Sequence, residues 1–453
     1  MTAVSPSPAS TSATAVAERP EAPLVLDTEP PRTLDFRAQF ALWANLGISL
    51  IGFSSAATVL GTAGAELSFA AAVTAIVVGT VIGTAMLGVA ALIGARTGAP
   101  AMAVLRGLFG TRLSYLPTVL NIAQCIGWGV FELIVIAGGA QNVAGTQGWR
   151  WLFVLLAGAL TTVLTIWPLG SIAVLRKYVA IAVGVAMVYF TVQLGRQGFP
   201  DPGAGNWDGF LTATDAVIAV SISFVPLAAD YTRHSRTPGA SFWGTFSGYT
   251  VAQVWCYVLG LIALLQQDGD SAKIFDSFTG VTAGWVFLLV LVLRETDQSF
   301  ANVYSTAMSV QNLFPRIDRR VLTVGIGTLV TGLALWIHEL SEGYTNFLYL
   351  IGAVFVPLFA VLAVDYFFGA GRGGWNLEQD APARPLMLLP WAVGFATYQF
   401  IAPTPVAGWW TGFWQDLQSA VGFEAQPWTS ASLFAFLAAA LATWATTLVR
   451  RPV

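Results

Sequence analysis

Trp128 and Glu132 lie four residues apart in LNIAQCIGWGVFELIVIAGGA, a stretch otherwise without charge. On a helix that spacing puts both side chains on one face, one turn apart. A carboxylate at membrane depth is costly unless it faces a partner or a wet cavity. A flat heterocycle answers both residues: its ring stacks on the indole, and its edge N–H groups donate to the carboxylate. The alternative is structural, with Trp128 packing a helix interface and Glu132 pairing with Arg294.

A second polar cluster is VLRETDQSFANVYSTAMSVQNL, which brings Arg294, Glu295, Asp297, Gln298, Asn302, Ser305 and Ser309 into about four helical turns. Buried carboxylates and amides beside broken helices could coordinate a cation or carry a proton. The alternative is that this end emerges at the outer interface and is solvated. Arg294 and Glu295 are expected to do so, whereas Asp297 and Asn302 lie deeper.

Two further stretches must position these groups. In VIAVSISFVPLAADYTRHSR, Val217 to Arg236, an apolar helix meets Ser221, Ser223 and Pro226 at mid-depth. Proline has no N–H to give, so carbonyls near Val220 to Ile222 are expected to lose helical partners. Inside a bilayer a freed carbonyl is tolerated only where protein or a wet cavity satisfies it. The other reading is a kink that only shapes packing. FALWANLGISLIGFSSAATVLG, five spans earlier, carries Gly47 and Gly52 with Ser49, Ser54 and Ser55 near its centre. Paired interruptions at corresponding places in two halves point to an inverted-repeat transporter with its site at the midplane.

Composition fixes the class around these residues. Hydrophobic residues make up 56% and charged residues 10% of 453 positions, and mean hydropathy is +0.68. Soluble domains are closer to one-quarter charged, so most of this surface does not face water. A net charge of −3 argues against a nucleic-acid partner. Cys125 and Cys256 sit in apolar runs and read as buried hydrophobes. His234 and His338 have no ligand cluster around them, so no metal centre beyond a possible sodium ion is expected.

Residues 1–36 are rich in Pro, Ala, Ser and Thr and read as a disordered cytoplasmic tail, not a signal peptide. Apolar stretches then recur at 40–62, 68–95, 116–139, 150–169, 174–197, 212–230, 243–266, 281–313, 321–339, 345–368, 386–403 and 430–449, each near the roughly 20 residues a spanning helix needs. We number these spans 1 to 12. With both termini cytoplasmic, cytoplasmic segments hold seventeen of the 21 basic residues. Outer loops hold only Arg150, Arg196 and Lys273, as the positive-inside rule asks. Span 10 carries Pro357 at its middle and Asp365 near its cytoplasmic end, and reads as a gate or scaffold. The reading is an all-α membrane protein: spans 1–5 (37–197) and 6–10 (198–370) form a 5+5 inverted repeat. Spans 11 and 12 and a short tail follow (371–453).

Jointly, GARTGAPAMAVLRGLFG, the Gly127–Trp128 pair, PLAADYTRHSRTPG and NFLYLIGAVFVPLFAVLAVDYFF resemble the nucleobase:cation symporter family, over about residues 36 to 370. That family includes permeases for purines, cytosine, uracil, allantoin, hydantoin and thiamine precursors. The resemblance implies a neurotransmitter:sodium symporter-like fold with twelve transmembrane helices. Trp128 takes the family's stacking position, and Glu132 a polar position often occupied by glutamine. Asn45 and Ile48 fall at cation-site positions and Ser49 at a substrate-contacting one. Ser221 falls where relatives place a second aromatic, a role Phe224 could supply. Asp297 and Gln298 fall where sodium-coupled relatives carry a Ser–Thr pair, which favours proton coupling through Asp297. Asn302 matches the substrate-binding asparagine.

The implied function is cation-coupled import of a nucleobase, cytosine or a purine, by alternating access in the cell membrane. The alternative is another heterocycle: hydroxymethylpyrimidine, allantoin or hydantoin. No cofactor is expected beyond sodium or a proton as coupling ion, and a monomer is plausible. A channel would need a continuous polar pore, and an enzyme a nucleophile–base or metal constellation. A receptor would not need buried Glu132 and Asp297.

Overall fold

The computed structural model describes residues 30–61, 67–146, 148–166, 172–199, 201, 205–314, 316–337 and 341–449. The tail as far as residue 29, and His338, lie outside the described residues. Helices occupy every stretch expected to span. Among the described residues, seven are long and apolar enough to cross a membrane, eight when the bent pair in span 1 counts as one. Spans 4 (Arg150–Ile166) and 11 (Leu388–Ile401) are shorter helices of 17 and 14 residues. Spans 2 (Phe69–Thr97) and 8 (Gly284–Leu313) are long, at 29 and 30 residues. Between spans 11 and 12 the Trp-rich connection contains a helix of its own, Gly408–Val421, lying outside the expected set.

The helices pack in two groups. Span 1 lies along span 7 (Pro238–Leu265), and span 2 packs against spans 6 and 7. Span 3 (Tyr115–Ala144) packs on spans 4, 8 and 9 (Arg319–Trp336), which also meet one another. The groups touch sparingly, where the middle of span 1 meets spans 3 and 8. Spans 10 (Ser341–Phe368), 11 and 12 (Ala431–Val449) pack together alongside. Pro357 sits inside the continuous helix of span 10, and Asp365 forms a 2.7 Å ion pair with Arg384.

Span 1 is interrupted. Phe36–Gly47 ends, Ile48 and Ser49 are extended, and the chain restarts as Leu50–Ser54 and Ala56–Gly61. The two parts are bent by 55°. Span 6 is kinked rather than unwound: Phe210–Ile222 passes through Ser223 and Phe224 into Val225–Thr232, with Pro226 in the first turn of the second part. Proline is at home there, since a first-turn N–H has no helical partner to lose. The Ser223 hydroxyl donates to the Val220 carbonyl at 2.7 Å, so the kink repairs one of its own gaps.

Two of the motif segments meet at the C-terminal end of span 6, where the Asp230 carboxylate accepts from the Ala101 N–H at 2.9 Å. Near its other end Asp215 accepts from the Ser430 hydroxyl at 2.5 Å and the Ala431 N–H at 2.8 Å. A carboxylate from span 6 thereby caps the start of span 12.

Candidate functional site

Where spans 1, 3, 6, 7 and 8 cross they enclose a cavity. Trp128 and Glu132 line it from span 3, Ser49 and Gly52 from span 1, and Ser223 and Phe224 from span 6. Tyr249, Gln253 and Tyr257 of span 7 and Gln298 and Asn302 of span 8 complete the polar lining. The Trp128 ring is fixed edge-to-face by Tyr344 (5.9 Å) and Phe347 (5.3 Å) of span 10. Gly127 permits this approach, because a Cβ there would lie 2.5 Å from the Phe347 ring. Phe224 is braced by Trp43 at 6.0 Å and Tyr249 at 5.2 Å. Trp128 and Phe224 both line the cavity, yet among the described ring contacts they do not meet each other.

Three cavity-lining polar atoms are buried with no hydrogen-bond partner in the protein: Trp128 Nε1, Glu132 Oε2 and the Tyr257 hydroxyl. Leaving such an atom unpaired costs about 1–3 kcal/mol, and more for a charged group. A donor, a carboxyl oxygen and a hydroxyl are thus left facing the cavity without a protein partner. Asn302 lies within hydrogen-bonding reach of the Glu132 carboxyl group.

Beside the cavity, span 8 knits the break in span 1. The Arg294 guanidinium donates to the Asn45 carbonyl and, at 3.3 Å, to Asn45 Oδ1. Gln298 Nε2 donates to the Leu46 carbonyl at 2.8 Å, and Gln298 Oε1 accepts from Arg294 at 2.9 Å. On the far lip, Glu295 accepts from the Ser49 hydroxyl at 2.6 Å and the Leu50 N–H at 2.9 Å.

Of the residues expected to bind substrate, Trp128, Glu132, Ser49, Phe224 and Asn302 share the cavity. Ser221 does not. Its hydroxyl donates to Gln253 at 2.8 Å, and its Cβ packs where a Cβ on Gly83 of span 2 would sit, 2.7 Å away. The close approach of spans 2 and 6 turns that face inward, and Ser223 lines the cavity instead. Of the expected cation residues, Asn45 and Ile48 lie at the break and Gln298 bridges to it. Asp297 is half-buried and outside the cavity lining.

The expectation that Arg294 and Glu295 are solvated is corrected: they are 2% and 1% exposed. Arg294 also turns to span 1 instead of pairing with Glu132. Tyr249, Gln253 and Tyr257 were not anticipated, although a lone glutamine within apolar YTVAQVWCYV was a readable signal.

A broken first helix, a kinked sixth and a cavity between them are the marks of a secondary transporter of the inverted-repeat kind. Residues 31–378 match the family described as permeases for cytosine/purines, uracil, thiamine and allantoin, and the chain belongs to it. It is a membrane transporter, not an enzyme. YxlA of Bacillus subtilis (strain 168), classed with purine-cytosine permeases, is 26% identical over 65% of this chain and 68% of its own length. The cytosine permease of Escherichia coli (strain K12) is 24% identical over 80% of this chain and 84% of that one. The fold is similar to that of Mhp1, a nucleobase-cation-symport-1 family transporter solved in a closed conformation with bromovinylhydantoin bound. That likeness has a TM-score of 0.72 at 16% identity and covers 94% of this chain and 96% of that one.

Proposed function

We propose that this protein imports a nucleobase with amino or N–H groups on its ring edge, cytosine or an aminopurine, across the cell membrane. The reading has twelve spans and both termini cytoplasmic. The observation that carries it is the set of unpartnered atoms, Trp128 Nε1, Glu132 Oε2 and the Tyr257 hydroxyl, around one cavity with aromatic walls. The ring stacks on Trp128, with Phe224 opposite. Glu132 accepts hydrogen bonds from the ring's donors, and Ser49, Asn302 and Gln253 read the remaining edge. N–H donors on the ring edge favour the ionised form of the Glu132 carboxyl once the ring is bound, and a hydrogen bond to an ionised acceptor is stronger than one to a neutral amide. That favours amino-bearing rings over uracil-like ones.

Import proceeds by alternating access. The group of spans 1, 2, 6 and 7 moves against the group of spans 3, 4, 8 and 9, and the sparse seam between them supports such a motion.

The test is uptake of labelled cytosine by permease-deficient cells expressing the chain, competed with adenine, guanine, hypoxanthine, uracil, allantoin, hydantoin and hydroxymethylpyrimidine. Uptake blocked by amino-bearing bases and spared by uracil is expected. Competition by hydantoin or allantoin alone would reject the nucleobase reading and retain a heterocycle importer.

A further inference from the structure

The break in span 1 presents two poles. Asn45 and Leu46 are among the last carbonyls of Phe36–Gly47, and the C-terminal end of a helix carries roughly half a negative charge. In broken-helix transporters such unwound carbonyls are where a coupling cation binds. Here that lip already faces a cation belonging to the chain. The Arg294 guanidinium donates to the Asn45 carbonyl, and Gln298, itself bonded to Arg294, closes the Leu46 carbonyl. The opposite lip, the positive start of Leu50–Ser54, faces Glu295.

Magnitude decides between ornament and working part. A buried ion without partners costs several kcal/mol. Arg294 meets that cost with a carbonyl, an amide oxygen, Gln298 and the Glu295 carboxylate 4.0 Å away.

We propose that Arg294 is a tethered cation occupying the place of a sodium ion at the span 1 break, so that the protein binds no sodium there and transports without it. The guanidinium is carried by the chain itself and is held at the lip by the Asn45 carbonyl and Gln298. It fills that place whenever the seam between the two helix groups is closed, with no supply of ion from outside. Asn45 and Gln298, both expected at the cation site, are ligands of Arg294. The inference rests on the fold as a transporter and is independent of which ring is carried.

The test uses the purified full-length protein, with 22Na+ binding and thermal unfolding in sodium chloride or choline chloride at equal ionic strength. No substrate is needed, so a wrong choice of base cannot mask the result. The wild type is expected to show no displaceable 22Na+ binding and the same Tm in both salts. R294A opens the carbonyl lip, so it should melt lower in choline and regain stability in sodium. R294K keeps a tethered charge and should ignore the choice of salt. Saturable sodium binding by the wild type, or an R294A protein that sodium fails to rescue, overturns the proposal. If R294A does not fold, the wild-type and R294K measurements decide.

Discussion

The two interruptions face the same cavity but are closed in opposite ways. The break in span 1 bends the chain by 55° and is closed by two charged residues of another helix, Arg294 on the carbonyl lip and Glu295 on the amide lip. The kink in span 6 is closed by neutral groups: the Ser223 hydroxyl reaches back to Val220, and Gln124 Nε2 donates to the Ser223 carbonyl at 2.9 Å. A wide break exposes helix ends whose partial charges need ions, whereas a shallow kink leaves single carbonyls that one hydrogen bond satisfies. The charged break ties together helix groups that otherwise barely touch. The neutral kink lines the same cavity as Trp128 and Glu132, in keeping with the uncharged ring proposed as substrate.

The contrast can be attacked from its strongest point downward. Glu295→Ala leaves Arg294 buried without its carboxylate and strips the Leu50 lip. A loss of roughly 3–5 kcal/mol is expected, read as a large fall in Tm and folded yield. A wild-type Tm would show that the break does not need its charges.

Glu132→Gln keeps the shape of the reading surface and replaces its carboxyl group with a neutral amide. Amino-bearing bases should lose about 1.5–3 kcal/mol of affinity, the worth of a hydrogen bond to an ion, while uracil loses little in the same competition assay. Trp128→Ala should weaken every planar ring by about 1–3 kcal/mol, without changing their order. A uniform loss in both variants would remove the division of labour between stacking and edge reading. The smallest effect belongs to the neutral kink: Ser223→Ala removes one hydroxyl bond of about 0.5–1.5 kcal/mol and should lower Tm by a few degrees at most. A collapse there would mean the kink is as dependent on outside support as the break.

Much of this was legible in the sequence. Hydropathy placed the helices because lipid leaves the backbone few alternatives. Trp128 and Glu132 could be found from spacing alone, since neighbours on one helix face stay neighbours when the helix packs. Arg294 and Glu295 were misread because a charge near the end of an apolar run normally belongs to water. Only the opened ends of span 1, distant in sequence, make burial favourable. Ser221 was misplaced by a different route. Its position along span 6 was readable, but the rotation of that helix is set by Gly83 on span 2, and glycine gives no directional signal. Helix Gly408–Val421 was passed over because its tryptophans read as interfacial anchors in a connection.

The cap that Asp215 places on Ser430 and Ala431 bears on how the molecule is made. Synthesis runs from the N-terminus, so span 6 enters the bilayer more than two hundred residues before its carboxylate's donors exist. Until then Asp215 is an acidic group among apolar neighbours, without the two donors it meets in the folded protein. Two spans far apart in the chain are thereby joined through polar groups that neither satisfies alone: a buried carboxylate, and an N–H at a helix start that has no helical partner.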